Sequence, residues 1–177
     1  MSRFQKVETC LKKLEFSSMS SYNFEDRLMI QKIVYLLQRK GLGFSYPYNL
    51  YIRGPYSPEL CRDVFGNNAS LHNLETTVHL SQGEVAIVDQ LKDSIDLIPS
   101  QLEVAATYAY FAYELGCSPS HSTASVRRMK GFYPEAQIAL GISRAKQFLF
   151  EPSSEEIADM KREARAWENV SNVNKDG

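Results

Sequence analysis

The chain has 177 residues, of which 20 are basic and 21 acidic, giving a formal net charge of −1 with 44% hydrophobic and 23% charged residues. That length is about one domain's worth and can bury roughly 70% of the unfolded surface in a single core. The near-zero net charge excludes a general attraction to nucleic acid or membrane, so any polyanion site has to be a local patch.

Cys10, Cys61 and Cys117 are odd in number and far apart, with no CxxC pair, which argues against a disulfide framework and fits a reducing cytosol. The start, Met1-Ser2-Arg3-Phe4-Gln5-Lys6, lacks the apolar core of a signal peptide. The richest apolar stretch, Val104 to Leu115, stops at Gly116, short of the about 18 residues that span a bilayer. The expectation is a cytoplasmic protein with no membrane segment.

The first predicted helix covers Phe4 to Phe16, with Phe4, Val7, Leu11 and Leu14 at helical spacing. A serine-rich break precedes a second helix, Phe24 to Lys40, in which Leu28, Ile30, Ile33, Val34 and Leu37 form a broad apolar stripe. Asn23 caps it, Asp26 suits its positive end, and Gly41 closes it. The aromatic run from Phe44 to Arg53 reads as one strand ended by a Gly54-Pro55-Tyr56 turn.

Ser57-Pro58-Glu59 is a helix start, and that third helix runs to about Phe65 and stops at Gly66. Residues 67–81 are turn-rich, with Thr76 to Leu80 as a short strand able to pair with the first. Ser81 caps a helix over 82–97, and a further helix over 101–115, apolar nearly all round, is expected at the centre of the fold. Short helices follow near 123–130 and over 134–150.

No cluster of His72, His79 and His121 has metal-ligand spacing, and no nucleophile elbow or phosphate loop is present. Cys117 and His121 stand four residues apart across a proline loop, and Asp89, Asp93 and Asp96 form an acidic helix face that reads first as solvated surface. Residues 119–151 carry Arg127, Arg128, Lys130, Arg144 and Lys146 against Glu135 and Glu151, which is either a nucleic-acid patch on a winged-helix-like shape or a balance for the acidic helix at 84–103. The Arg53-to-Pro58 turn either fixes a sharp reversal or offers an anion the N–H groups of the next helix beside Arg53. Gln31 and Lys32 either anchor the neighbouring strand or face a partner.

Two segments carry a family resemblance. Arg27-Leu28-Met29-Ile30-Gln31-Lys32-Ile33-Val34-Tyr35-Leu36-Leu37, followed by Tyr51-Ile52-Arg53-Gly54-Pro55-Tyr56-Ser57-Pro58-Glu59-Leu60, looks like the signature of the YwgA-like family of prokaryotic proteins. More distantly it resembles the Panacea domain of SocA-like antitoxins and phage-associated proteins, with their K-L-Q-K-L-x-Y helix and Gly-Pro turn. Leu102 to Thr107 is similar to the family's later buried helix. Met29 stands where the Panacea motif has lysine, and the turn here is the longer Arg-Gly-Pro-Tyr-Ser-Pro form.

The resemblance implies a compact helical domain with a small β-element. For the Panacea relatives it implies toxin neutralisation by protein contact, without enzymatic activity. The expected fold is therefore mainly α: a multi-helix domain over 1–150 with a two-stranded β-element after the second helix, a charged helix over 151–168 and a disordered tail over 169–177. The expected function is a non-enzymatic, cofactor-free and metal-free binding module, antitoxin-like or defence- or phage-associated, that captures a toxin or defence effector. Its expected partner surface is Arg53, Tyr56 and Ser57, with Gln31 and Tyr35 where they point outward. The alternative is a nucleic-acid accessory protein using Arg127, Arg128, Lys130, Arg144 and Lys146. Self-association and the role of the C-terminal helix stay open.

Overall fold

A computed structural model of the chain describes residues 2–150 and, beyond them, residues 158, 161, 162, 165, 166, 168 and 169. Apart from those few positions, the expected charged helix and tail lie outside the described residues. Within them the chain runs α1 (Arg3–Lys13), α2 (Phe24–Lys40), a hairpin of β1 (Asn49–Tyr51) and β2 (Gly54–Tyr56), α3 (Pro58–Gly66), α4 (Asn68–Asn73), α5 (Gln82–Ser94), α6 (Pro99–Ala109), a π-helical turn (Tyr110–Glu114), α7 (Pro119–Met129) and α8 (Glu135–Leu149). The fold is mainly α, with a two-stranded antiparallel sheet between α2 and α3.

Local sequence explains most helix starts. Ser2, Asn23, Ser57, Ser81 and Ser118 each accept a hydrogen bond from a backbone N–H of the first turn, which satisfies a donor the helix cannot pair internally. Gln5 and Glu84 return the bond to the cap residue's own N–H.

α6 is the central helix: every residue from Gln101 to Ala109 is buried. Its largest contacts are with α2 and α8, and β2 packs on both α2 and α6. α8 approaches closely because Gly141 has no side chain; a Cβ there would lie 2.5 Å from Val104 Cγ1. α5 touches α1, α2 and α8, closing the core around Phe4, Leu11, Val34, Leu91 and Phe148.

Several expectations are corrected. The run Phe44–Arg53 is not one strand: only Asn49–Tyr51 is, and Gly54-Pro55-Tyr56 is its partner rather than its end, with Asn49 opposite Tyr56 and Tyr51 opposite Gly54. The reversal at Ile52 and Arg53 works because Gly54 takes the left-handed conformation, φ +91°. Residues 76–80 form no strand. Thr9 ties this segment to α1, its Oγ1 lying 2.8 Å from Thr76 Oγ1 and donating to Val78 O at 3.1 Å. α4 is a helix where turns were expected, α1 ends three residues early, and α6 gives way to a π-helical turn at Tyr110.

Candidate functional site

The site is built from α2 outward. The connection between α2 and α3 has only three-residue strands, so most of its backbone polar groups need other partners. Polar residues in the apolar face of α2 supply them. Gln38 donates to Tyr46 O at 2.8 Å and accepts from Tyr46 N–H at 2.9 Å. Two turns earlier, Gln31 donates to Ser57 O at 3.0 Å and accepts from Ser57 N–H at 2.9 Å. Lys32 Nζ donates to Pro55 O at 2.7 Å.

Of the two readings of Gln31 and Lys32, the structure shows the anchoring one. Gln31, Tyr35 and Ser57 are buried, and Gln31 reaches the floor of the cleft in front of the hairpin. Tyr35 lies edge-on to Tyr48, with centroids 5.0 Å apart, and Ser57 is a helix cap. These three residues position the site. Ser57 Oγ accepts from Leu60 N–H, so one donor of the first turn of α3 is already used within the fold.

Behind the hairpin lies a buried charge cluster. Glu103 of α6 and Lys130, just after α7, are both fully buried and paired at 2.6 Å. Lys130 also donates to Ile52 O at 2.9 Å, and Tyr133 OH donates to the second Glu103 oxygen at 2.9 Å. Arg53 Nη1 lies 3.6 Å from that same oxygen. Burial lowers Lys32 to about 7; Lys130 and Arg53 push the same way, and Glu103 opposes them. Burial and the Glu103 carboxylate push Tyr133 up to about 12.

This shift has a testable sign. The unfolded chain keeps a proton on Lys32 up to about 10.5, whereas the native state releases it near 7. Between those values the unfolded state binds more protons, so unfolding free energy rises with pH. The urea midpoint is expected to climb from about pH 6.5 to about pH 9, and Lys32→Met to remove much of the climb. A flat profile in the parent protein would contradict a neutral Lys32.

In front of the hairpin is an open cleft of about 360 Å³. Its walls are apolar, formed by Phe24, Leu28, Tyr51, Ile52, Tyr56 and Val64, and its charged lining residues are Arg27, Lys32 and Arg53. Tyr56 is half-buried and lies edge-on to Tyr51 at 5.3 Å. The hairpin tip projects: Ile52 is 87% exposed. Phe24 is also exposed, with the Arg27 and Arg53 guanidinium carbons 5.7 and 5.3 Å from its ring centroid, and Arg27 reaches the exposed ring of Phe65 at 5.6 Å. A second groove, which includes Ile98, Ser100 and Tyr133, shares Phe24, Leu28 and Arg53 with the first.

The five basic residues at 127–146 do not form one open patch. Lys130 is buried, Arg127 pairs with Glu135 at 2.7 Å, and Arg144 is half-buried with Nη1 donating to Ser94 O at 3.4 Å. Arg128 and Lys146 remain exposed, Lys146 lying over the Tyr108 ring. Cys117 and His121 line neither cleft, and the His121 N–H is used by the α7 cap. Among the described residues no group of three metal-ligating side chains is found, and no helix is long and apolar enough to cross a membrane.

No family model and no curated protein matches the chain. The site therefore rests on its own geometry. Of the residues expected from the sequence, Arg53 and Tyr56 line the cleft and Lys32 anchors the hairpin, whereas the sequence reading does not single out Phe24, Arg27, Ile52 or Glu103. Two signals were present: an aromatic directly after a helix cap, and a lone charged residue, Glu103, inside a largely apolar helix.

Proposed function

We propose that this protein is a binding module that captures a partner polypeptide through the cleft and the Ile52–Arg53 tip. One observation carries the reading: exposed aromatic and aliphatic side chains and two arginines converge on one apolar cleft held on a buried scaffold. Aromatic and arginine side chains around a water-excluding pocket are the usual anchors of protein interfaces. Capture needs no chemistry from the protein, and the resemblance of the α2–hairpin–α3 motif suggests a toxin or defence effector as the partner. Nucleic-acid binding is less well supported, because Lys130 and Arg127 are already engaged within the fold.

The test is nuclease-treated affinity capture from the source cells with the parent protein and with Ile52→Asp and Arg53→Glu. A stoichiometric protein is expected with the parent and its loss, by about tenfold or more, with each variant that melts like the parent. Equal capture by parent and variants would place the partner surface elsewhere. Recovery of nucleic acid alone from untreated lysate, falling steeply with salt, would favour the basic residues.

A further inference from the structure

The cleft is lined by positive charge, and the carboxylate that faces it, Glu103, lies behind the hairpin rather than in the lining. Arg27, Lys32 and Arg53 line it, and no carboxylate does among the described residues. Glu103 behind it is already engaged by Lys130 at 2.6 Å and Tyr133 at 2.9 Å. Arg53, at 3.6 Å, is the farthest of its three partners, and about half of the Arg53 side chain faces solvent. Lys32 is 1% exposed, and its amine donates to Pro55 O although an ammonium offers three donors. Lys130 and Arg53 pair with one carboxylate whose charge also reaches Lys32, in an apolar setting where an incoming anion interacts strongly.

We propose that the cleft reads a carboxylate carried beside an apolar side chain on the partner polypeptide. Arg53 turns from Glu103 to hold that carboxylate, while the apolar group seats against Leu28, Tyr51, Tyr56 and Val64. The proposal rests on the capture reading and names the chemistry of the captured segment.

Two features make the exchange favourable. Glu103 keeps Lys130 as its counter-ion, so releasing Arg53 leaves no buried charge alone. The guanidinium fork gains a two-point contact in place of one long approach to Glu103. The arriving charge also acts on Lys32. The charged groups facing Lys32 are Glu103 from α6, Lys130 after α7 and Arg53 on the hairpin, with burial the largest influence. A second carboxylate offsets the two cations, so binding takes up a proton near neutral pH.

The test uses 4-phenylbutyrate and the uncharged 4-phenylbutyramide as probes, titrated into the full-length ¹⁵N-labelled protein and followed on the amides of Ile52, Arg53 and Gly54. The carboxylate is expected to bind about tenfold more tightly than the amide at about pH 6.5, and the ratio to shrink at about pH 8.5. Arg53→Gln is expected to reduce the carboxylate to the level of the amide, with Arg53→Lys between them. Thermal melting of each variant confirms that it is folded. Equal, saturable binding of acid and amide would overturn the carboxylate reading and leave the capture reading standing. No saturable shift from either compound would overturn the carboxylate reading, while the affinity capture above decides the capture reading, and a ratio independent of pH would remove the proton uptake.

Discussion

Replacing Glu103 by glutamine is expected to destabilise the protein by about 3–5 kcal/mol, the range for leaving one member of a buried ion pair without its partner. Glu103 and Lys130 are both fully buried, and Lys32 lies in the same cluster. Glutamine keeps the shape but removes the negative charge that the lysines share. Lys130 can respond by losing its proton, but then it is a poorer donor to Ile52 O, so the hairpin tip loosens as well. Urea denaturation measures the loss. The combination with Lys130→Met is expected to cost clearly less than the sum of the single changes, because removing both charges removes the penalty of an unpaired one. Simple additivity in that cycle would show that the two residues do not act as a pair.

The second large effect is expected at Gly54, where alanine meets two independent obstacles. The residue sits at φ +91°, which costs an L-residue about 1–2 kcal/mol. An added Cβ would also lie 2.5 Å from Thr107 Oγ1 on the central helix. The hairpin cannot retreat freely, because Pro55 O is held by Lys32 and Ser57 by Gln31. A total loss of about 3 kcal/mol is expected in thermal or urea unfolding. Thr107→Ala separates the two causes. It deletes the clashing oxygen, so the alanine at 54 should cost only its backbone share in that background. An unchanged cost there would assign the whole effect to the left-handed conformation.

The two substitutions show why the motif shared by α2 and the hairpin reads as it does. Gln31, Lys32, Gly54, Pro55 and Ser57 form one structural unit, in which side chains of a helix supply partners to a loop backbone and glycine allows the close approach. Helix positions were readable because cap residues and apolar spacing act within a few residues of the element they define. α4 was not, since it is six residues long and no side chain caps it. The strand expected at 76–80 has suitable composition, but Thr9 holds it against α1, a contact between residues about seventy positions apart. For the same reason the site was only half visible. Arg53 and Tyr56 announce themselves in the turn, and Gln31 finds Ser57 only 26 residues on, whereas the pairing of Glu103 with Lys130 depends on how α6 and the segment after α7 are brought together.

Surface location also failed as a proxy for residue type. Serine, glutamine and lysine are ordinarily exposed, yet Ser57, Gln31 and Lys130 are inside, each with a hydrogen-bonding partner. Phenylalanine and isoleucine are ordinarily inside, yet Phe24 and Ile52 are outside. Both reversals occur around the same hairpin, and each supports the other: buried polar ties hold a loop whose outward face is then free to be apolar.

The bonds that hold this hairpin also bear on the tempo of any encounter. Ile52 is anchored through its carbonyl to Lys130, and Pro55 and Ser57 are fastened to α2, so the tip needs no ordering when a partner arrives. In the proposed capture, complex formation is then expected to be limited by diffusion and orientation rather than by a waiting step in the protein. Shortening the Ile52 side chain, which leaves those bonds untouched, is accordingly expected to shorten the lifetime of a complex while hardly changing how quickly it forms.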